Sequence, residues 1–222
     1  MDISTWRVQS RLGLGFGGVC ALLLIIVVMG LNSLGRMQDG LIDMADDRWP
    51  KIEAATAIMT QTDAIAVALR NMMLTQDLAD HRLQVDSITK SREAIAKNLD
   101  FLQRKVVLPK GKELLQQVQV QRAKYIAGQD ALMALVKADK QDEARTYLSG
   151  ELRPVLSSYK AAIGALIELQ VGLIRSTATS ATDTYQQARN TMVALGLLAV
   201  ALAAVVGWLI TRSLLKELGG EP

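Results

Sequence analysis

Between Leu114 and Val136 the chain reads LLQQVQVQRAKYIAGQDALMALV, and steps of three and four residues land on Leu115, Val118, Arg122, Tyr125, Gln129, Leu132 and Val136. A seam with this spacing is the buried stripe of a helix packed in a bundle. An arginine, a phenol and a carboxamide therefore stand where apolar side chains are expected. The chemistry these groups share is recognition of an anion. A guanidinium meets a carboxylate with two parallel N–H donors, and phenol or threonine hydroxyls supply the remaining hydrogen bonds.

The same anomaly recurs on neighbouring helical stretches. One seam runs Val85, Ile88, Arg92, Ile95, Leu99, Leu102, Val106, and another Leu148, Leu152, Val155, Tyr159, Ala162, Leu166, Leu169, Leu173. At about 1.5 Å per residue counted from the turns at 75–81 and 137–144, which share one end of the bundle, Arg92 and Tyr125 lie roughly 20 Å deep and Arg122 roughly 24 Å. Thr62 comes to a similar depth, Arg70 about two turns nearer the tip, and Arg153 and Tyr159 within about a turn. No Asp or Glu lies on these seams at that depth, and an unpaired cation away from water costs several kcal/mol or more. The expectation is a site for a small organic anion held by Arg70, Arg92, Arg122, Tyr125, Thr62, Tyr159 and Arg153. The competing expectation is that the arginines snorkel to water, or that Glu93, Asp130 or Glu168 reaches round as a salt-bridge partner.

Four helices position these residues. The helical pattern breaks at TQDLADH (75–81), VLPKGK (107–112) and KADKQDEA (137–144), where Pro and Gly punctuate the second break and Asp77 or Asp139 offers an N-cap at the others. Links this short predict antiparallel neighbours, hence an all-α, up-down-up-down four-helix bundle. Pro50 and Pro154 fall inside the first and fourth helices, where each removes a backbone hydrogen bond and bends or restarts the helix. The stretch GELRP would thus split the fourth helix into a short lead-in and a long body. The first helix has a broader stripe (Ile52, Ala55, Ile58, Met59, Thr62, Ile65, Ala66, Leu69, Met72, Met73), which suits a helix packed both in its own bundle and against a second copy. It predicts a homodimer formed through that helix.

Composition narrows the function. Of 222 residues, 50% are hydrophobic but only 4% aromatic, which favours helix over sheet. The net charge of +3 is spread along the chain, so no nucleic-acid partner is expected. One cysteine, Cys20, and one histidine, His81, leave no disulfide, metal site or cofactor-binding set to build. No nucleophile has a base in register and no glycine-rich turn leads from strand to helix, so no enzyme is expected.

Two charge-free runs, Leu12 to Leu34 and Met192 to Thr211, are each long enough to cross a hydrocarbon core of roughly 30 Å as a helix. Arg7 and Arg11 before the first, and Arg212 and Lys216 after the second, place both ends in the cytoplasm. The layout is then a cytoplasmic N-terminus (1–11), a first transmembrane helix (12–34), a periplasmic sensor bundle (35–190), a second transmembrane helix (191–211) and a cytoplasmic segment (212–222). Gly13 and Gly17 in the first span, and Ala199, Ala203 and Gly207 in the second, recur at spacing four and would let the spans pack closely. The run RSTATSATDTY (175–185) reads as a neck of small residues. Trp208 suits an interfacial anchor.

The layout resembles the sensor half of a methyl-accepting chemotaxis protein with a four-helix-bundle ligand-binding domain. The resemblance rests on MTQTDAIAVALRNMMLTQD, LPKGKELLQQVQVQRAKY, KADKQDEARTYLSGELRPVLSSY and the closing ITRSLLKELGGEP. That last stretch is similar to the start of a HAMP relay domain, with Glu217 where such sequences usually carry proline. The resemblance implies a homodimeric chemoreceptor of the inner membrane, in which a periplasmic carboxylate ligand biases a small displacement of the fourth helix and second span. The HAMP and a further cytoplasmic region would pass it to a coupling protein and a histidine kinase. In such relatives, arginines and a Thr or Tyr hold the ligand carboxylate, at times across the dimer. The same sensor could equally feed a histidine kinase or nucleotide cyclase of its own chain, or answer a protein partner without a small ligand.

Overall fold

The computed structural model describes residues 8–217, and among them every regular element is helical. In chain order these are α1 (Val8–Ile42), a π-helical turn π1 (Asp43–Arg48), α2 (Trp49–Leu74), α3 (Leu78–Lys105), α4 (Pro109–Lys137), α5 (Gln141–Tyr147), a second π-helical turn π2 (Leu148–Leu152) and α6 (Arg153–Glu217). They form two compact units, one from the chain up to Leu41 with the chain from Thr177 onward, the other from Ile42–Ser176.

The second unit is a four-helix bundle. Its first three helices are α2, α3 and α4, and its fourth is α5, π2 and the start of α6. The first and third links fall inside the expected breaks and the second, 106–108, overlaps the break expected at 107–112, and local hydrogen bonds close each end. Asp77 caps α3 by accepting from the Ala79 amide at 2.8 Å. His81 Nε2 lies 2.9 Å from both Met72 O and Thr75 O. Both partners only accept, so this nitrogen carries the proton and terminates α2.

Asp139, the other expected cap, plays a different part, because Lys140 holds the N-cap position of α5. The Lys140 amide donates to Leu135 O (3.0 Å) and the Asp139 amide to Val136 O (3.1 Å). These are the paired bonds of a Schellman closure, which forces the residue between the helices into left-handed backbone. Asp139 takes that conformation at φ 56°.

Both prolines act as expected, and each is preceded by a wide turn. The Trp49 amide bonds to Met44 O and the Arg153 amide to Leu148 O, five residues back in each case. A proline ring collides with the carbonyl four residues behind it in an α-helix. Widening the preceding turn moves the Asp46 and Gly150 carbonyls aside and spares the helix a break. In π2 this turn drives Leu152 against α4. A Cβ at Gly128 would sit 2.6 Å from Leu152 Cδ1, so a larger residue there would have to push the Leu152 side chain aside.

Each seam supplies the core. Leu115, Val118, Leu132 and Val136 of α4, Ile88, Ile95, Leu99 and Leu102 of α3, and Leu152 and Leu166 of the fourth helix are buried together with Ile58, Ile65 and Leu69 of α2. Val85 departs from the pattern. Expected in the α3 seam, it is 43% exposed, because α3 and α4 stand apart at the end of the bundle where α2 turns into α3.

In the first unit, α1 and α6 carry apolar windows that are 0% and 6% buried within the chain. A core helix of a soluble domain would hide such a window, so these faces need an apolar solvent. The close approach between the two helices is at Gly15, where a Cβ would lie 2.5 Å from Val206 Cγ1, and again at Gly30 beside Met192. Gly13, Gly17 and Gly207, which the spacing singled out, have open space around them, whereas Ala199 is buried. The helix faces turn Gly15 inward and its neighbours two residues away outward. Arg212 stacks over the Trp208 ring at 5.2 Å, a cation–π contact that fits an interfacial anchor. The GGEP turn that ends the sequence lies outside the described residues.

Candidate functional site

A polar layer crosses the middle of the bundle. Tyr125 on α4 and Tyr159 on α6 are each 1% exposed, with ring centroids 5.7 Å apart at a tilt of 35°. Thr62 on α2 is fully buried, and its hydroxyl donates to Ile58 O at 2.7 Å. Neither the Tyr125 nor the Tyr159 hydroxyl closes a hydrogen bond among the described residues. A buried polar group left unsatisfied costs about 1–3 kcal/mol, so two phenols facing each other without partners are a departure that packing alone does not explain.

Their electrostatics follow from that burial. Desolvation pushes the Tyr125 phenol well above its ordinary range, helped by the Asp63 and Tyr159 charges and opposed by Arg92. Desolvation raises Tyr159 as well, with Thr62 and Arg122 pulling the other way. Thr62 Oγ1 lies near enough to the Tyr159 hydroxyl to act on it as a hydrogen-bonding group, though outside the geometry of a closed bond, and Arg122 acts through its charge. Both phenols are neutral donors at physiological pH.

The two seam arginines differ in state. Arg92, three-quarters buried along its side chain, donates through Nε to Gln129 Oε1 at 2.8 Å and pairs through Nη2 with Asp130 at 2.7 Å. That pair ties α3 to α4 and satisfies the buried Gln129 carboxamide. Asp130, one residue beyond the seam, supplies the carboxylate that the seam itself lacks. Arg122 is partly buried and makes no hydrogen bond or ion pair among the described residues.

Of the seven residues singled out by spacing, the bundle brings Thr62, Tyr125, Tyr159, Arg92 and Arg122 to one level. It leaves Arg70 and Arg153 exposed. Arg70 lies on the outer side of α2, and Arg153, the first residue of α6 after π2, lies off the seam of Leu152, Val155 and Tyr159. Lys51 was missed. It is 5% exposed and pairs with Asp47 at 2.6 Å; its position just inside the broad stripe of α2 gave no signal separate from a surface lysine.

Two apolar spans holding a four-helix bundle with a polar layer at its heart define a membrane-associated sensory module. The chain matches the model of the four-helix-bundle sensory module for signal transduction over residues 5–192, and it belongs to that family of chemoreceptor sensors. A comparison with curated proteins gave no match.

Proposed function

We propose that this chain is the sensing half of a chemoreceptor that detects a small organic anion through its bundle layer. The observation that carries the reading is the pair of unpartnered buried phenols beside an unpaired, half-buried Arg122. A carboxylate between them would accept from both hydroxyls and from the guanidinium, converting the layer's unsatisfied donors into charge-assisted hydrogen bonds. Thr62 would lend its hydroxyl by turning from Ile58 O. Arg92 supports the site indirectly, since its donors are already taken by Gln129 and Asp130. A second carboxylate of a di- or tricarboxylate ligand would draw on a further cation, and Arg70 of a second copy, placed on the exposed side of α2, is suited to that.

In this reading the bundle lies in the periplasm, both chain ends lie in the cytoplasm, and the molecule is a homodimer in the inner membrane. The ligand shifts α6 because it binds one arrangement of the layer better than the other; equal affinity for both would shift nothing. Residues 212–222 would open a HAMP relay leading to a coupling protein and histidine kinase. Calorimetric titration of the full chain in lipid nanodiscs with malate and citrate tests the site. Saturable binding that weakens at least about tenfold in Arg122→Ala is expected, and unaltered binding in that variant would sink the assignment.

A further inference from the structure

The end of the bundle where α3 and α4 stand apart holds a half-open groove of about 1000 Å³. One turn of α3 separates its wall at Thr89 from Arg92, so it abuts the polar layer without including it. Met72, Leu78, Val85, Met133 and Val136 form its apolar surface. Two of these are methionines, whose unbranched thioethers adapt to a flat or irregular guest. Leu78 and Val85 are 71% and 43% exposed, an arrangement that leaves apolar surface in water next to a concavity of ligand size.

Polar residues make up more than half of the groove's lining, with Arg82 and Lys137 set against Asp86 and Asp139. Asp86 is neutralised by Lys90 at 2.7 Å, which leaves Arg82 and Lys137 without an ion pair against Asp139 alone. Gln141 adds an independent signal. Its Oε1 has no hydrogen-bond partner and, besides the two layer phenols, is the other such buried side-chain atom among the described residues; closed off from solvent as it stands, it meets a guest in the groove once the Gln141 side chain turns toward it. A carboxamide oxygen only accepts. What it lacks is a donor.

We infer that this groove is a second small-molecule site, for an amphipathic acid with an apolar, preferably aromatic, body, a carboxylate and a hydroxyl. The body lies against the methionines and Val136, the carboxylate meets Arg82 and Lys137, and the hydroxyl donates to Gln141 Oε1. The site does not depend on the polar layer. A molecule seated there bridges α3, α4 and the turn into α5.

Full-length chain in lipid nanodiscs, titrated calorimetrically with 4-hydroxyphenylacetate, phenylacetate and 4-methylphenol, separates the three contributions. The hydroxylated acid is expected to bind saturably and at least about tenfold tighter than either compound lacking one group. Arg82→Ala should remove most of the advantage of the two acids over the phenol. Gln141→Met keeps the side chain's length while deleting the acceptor, so it should erase the preference for 4-hydroxyphenylacetate over phenylacetate. Circular dichroism checks that both variants keep the wild-type helix content. Arg122→Ala should leave all three affinities unchanged. Absence of saturable binding by any of the compounds, indifference to both groove variants, or loss of binding in Arg122→Ala with Arg82→Ala intact would each overturn the assignment. Malate and citrate binding is scored separately, so failure of one site does not obscure the other.

Discussion

The layer's unusual chemistry resides in two hydroxyl groups. Deleting a buried, unpartnered hydroxyl removes a penalty, so Tyr159→Phe is expected to hold or raise stability by about 1 kcal/mol while weakening anion binding about tenfold. Thermal denaturation and calorimetry read the two effects, and a clear loss of stability would show that the hydroxyl is already satisfied. The raised pKa values carry a second consequence. A phenol that ionises less readily when folded contributes stability that is intact below its unfolded value of about 10 and drains away as pH rises beyond it. Melting temperature should therefore be flat from neutral pH to about pH 10 and fall above it, with a shallower fall in Tyr125→Phe. At this scale the sequence was informative where spacing places a residue on a seam. Arg122, Tyr125 and Tyr159 stood out because a heptad has a definite inside. Arg92's partner was legible only as one of three candidates, since Asp130 sits one residue off the seam and only rotamer and helix separation decide whether it reaches. Gln141 was silent because its burial depends on how far α3 and α4 splay.

At the scale of elements, helix ends followed from short-range chemistry and were legible to within a few residues. Asp77 caps α3 because its carboxylate accepts a first-turn amide. Proline at 50 and 154 announced a disturbance, but its form, a widened turn just before each ring, was not readable, because bending and widening both relieve the same carbonyl collision. Asp139 illustrates the limit from the other side: an aspartate in a link is as good a candidate for a left-handed closure as for a cap. The Schellman bonds around it argue that Asp139→Gly raises stability by about 0.5–1 kcal/mol, since glycine enters φ > 0 without a Cβ penalty. Chemical denaturation of the variant checks this. A drop in midpoint would mean that the Asp139 carboxylate makes a contribution beyond its backbone.

For the whole molecule, the spans and the bundle were readable from hydropathy and periodicity, and the face proposed to pair with a second copy was signalled by the breadth of the α2 stripe. Ile52, Met59, Ala66 and Met73 recur every seven residues on α2 and remain half-buried, a strip with the coiled-coil repeat that its own bundle covers only in part. Ala66→Cys in a Cys20→Ala background is expected to yield a disulfide-linked dimer on mild oxidation in membranes. Gln103→Cys, exposed on α3, should not. A monomer band from both would count against pairing through α2.

The proline that follows π2 also has a mechanical meaning. Tyr159 lies on the α6 side of Pro154, while α5 and π2 lie on the other. The backbone gives most readily where the ladder of hydrogen bonds skips a rung, so compliance is concentrated above the layer, and a push delivered at Tyr159 meets a soft joint behind it and a stiff rod ahead. In the proposed mechanism the fourth helix would thus pass a displacement along α6 more readily than back through π2.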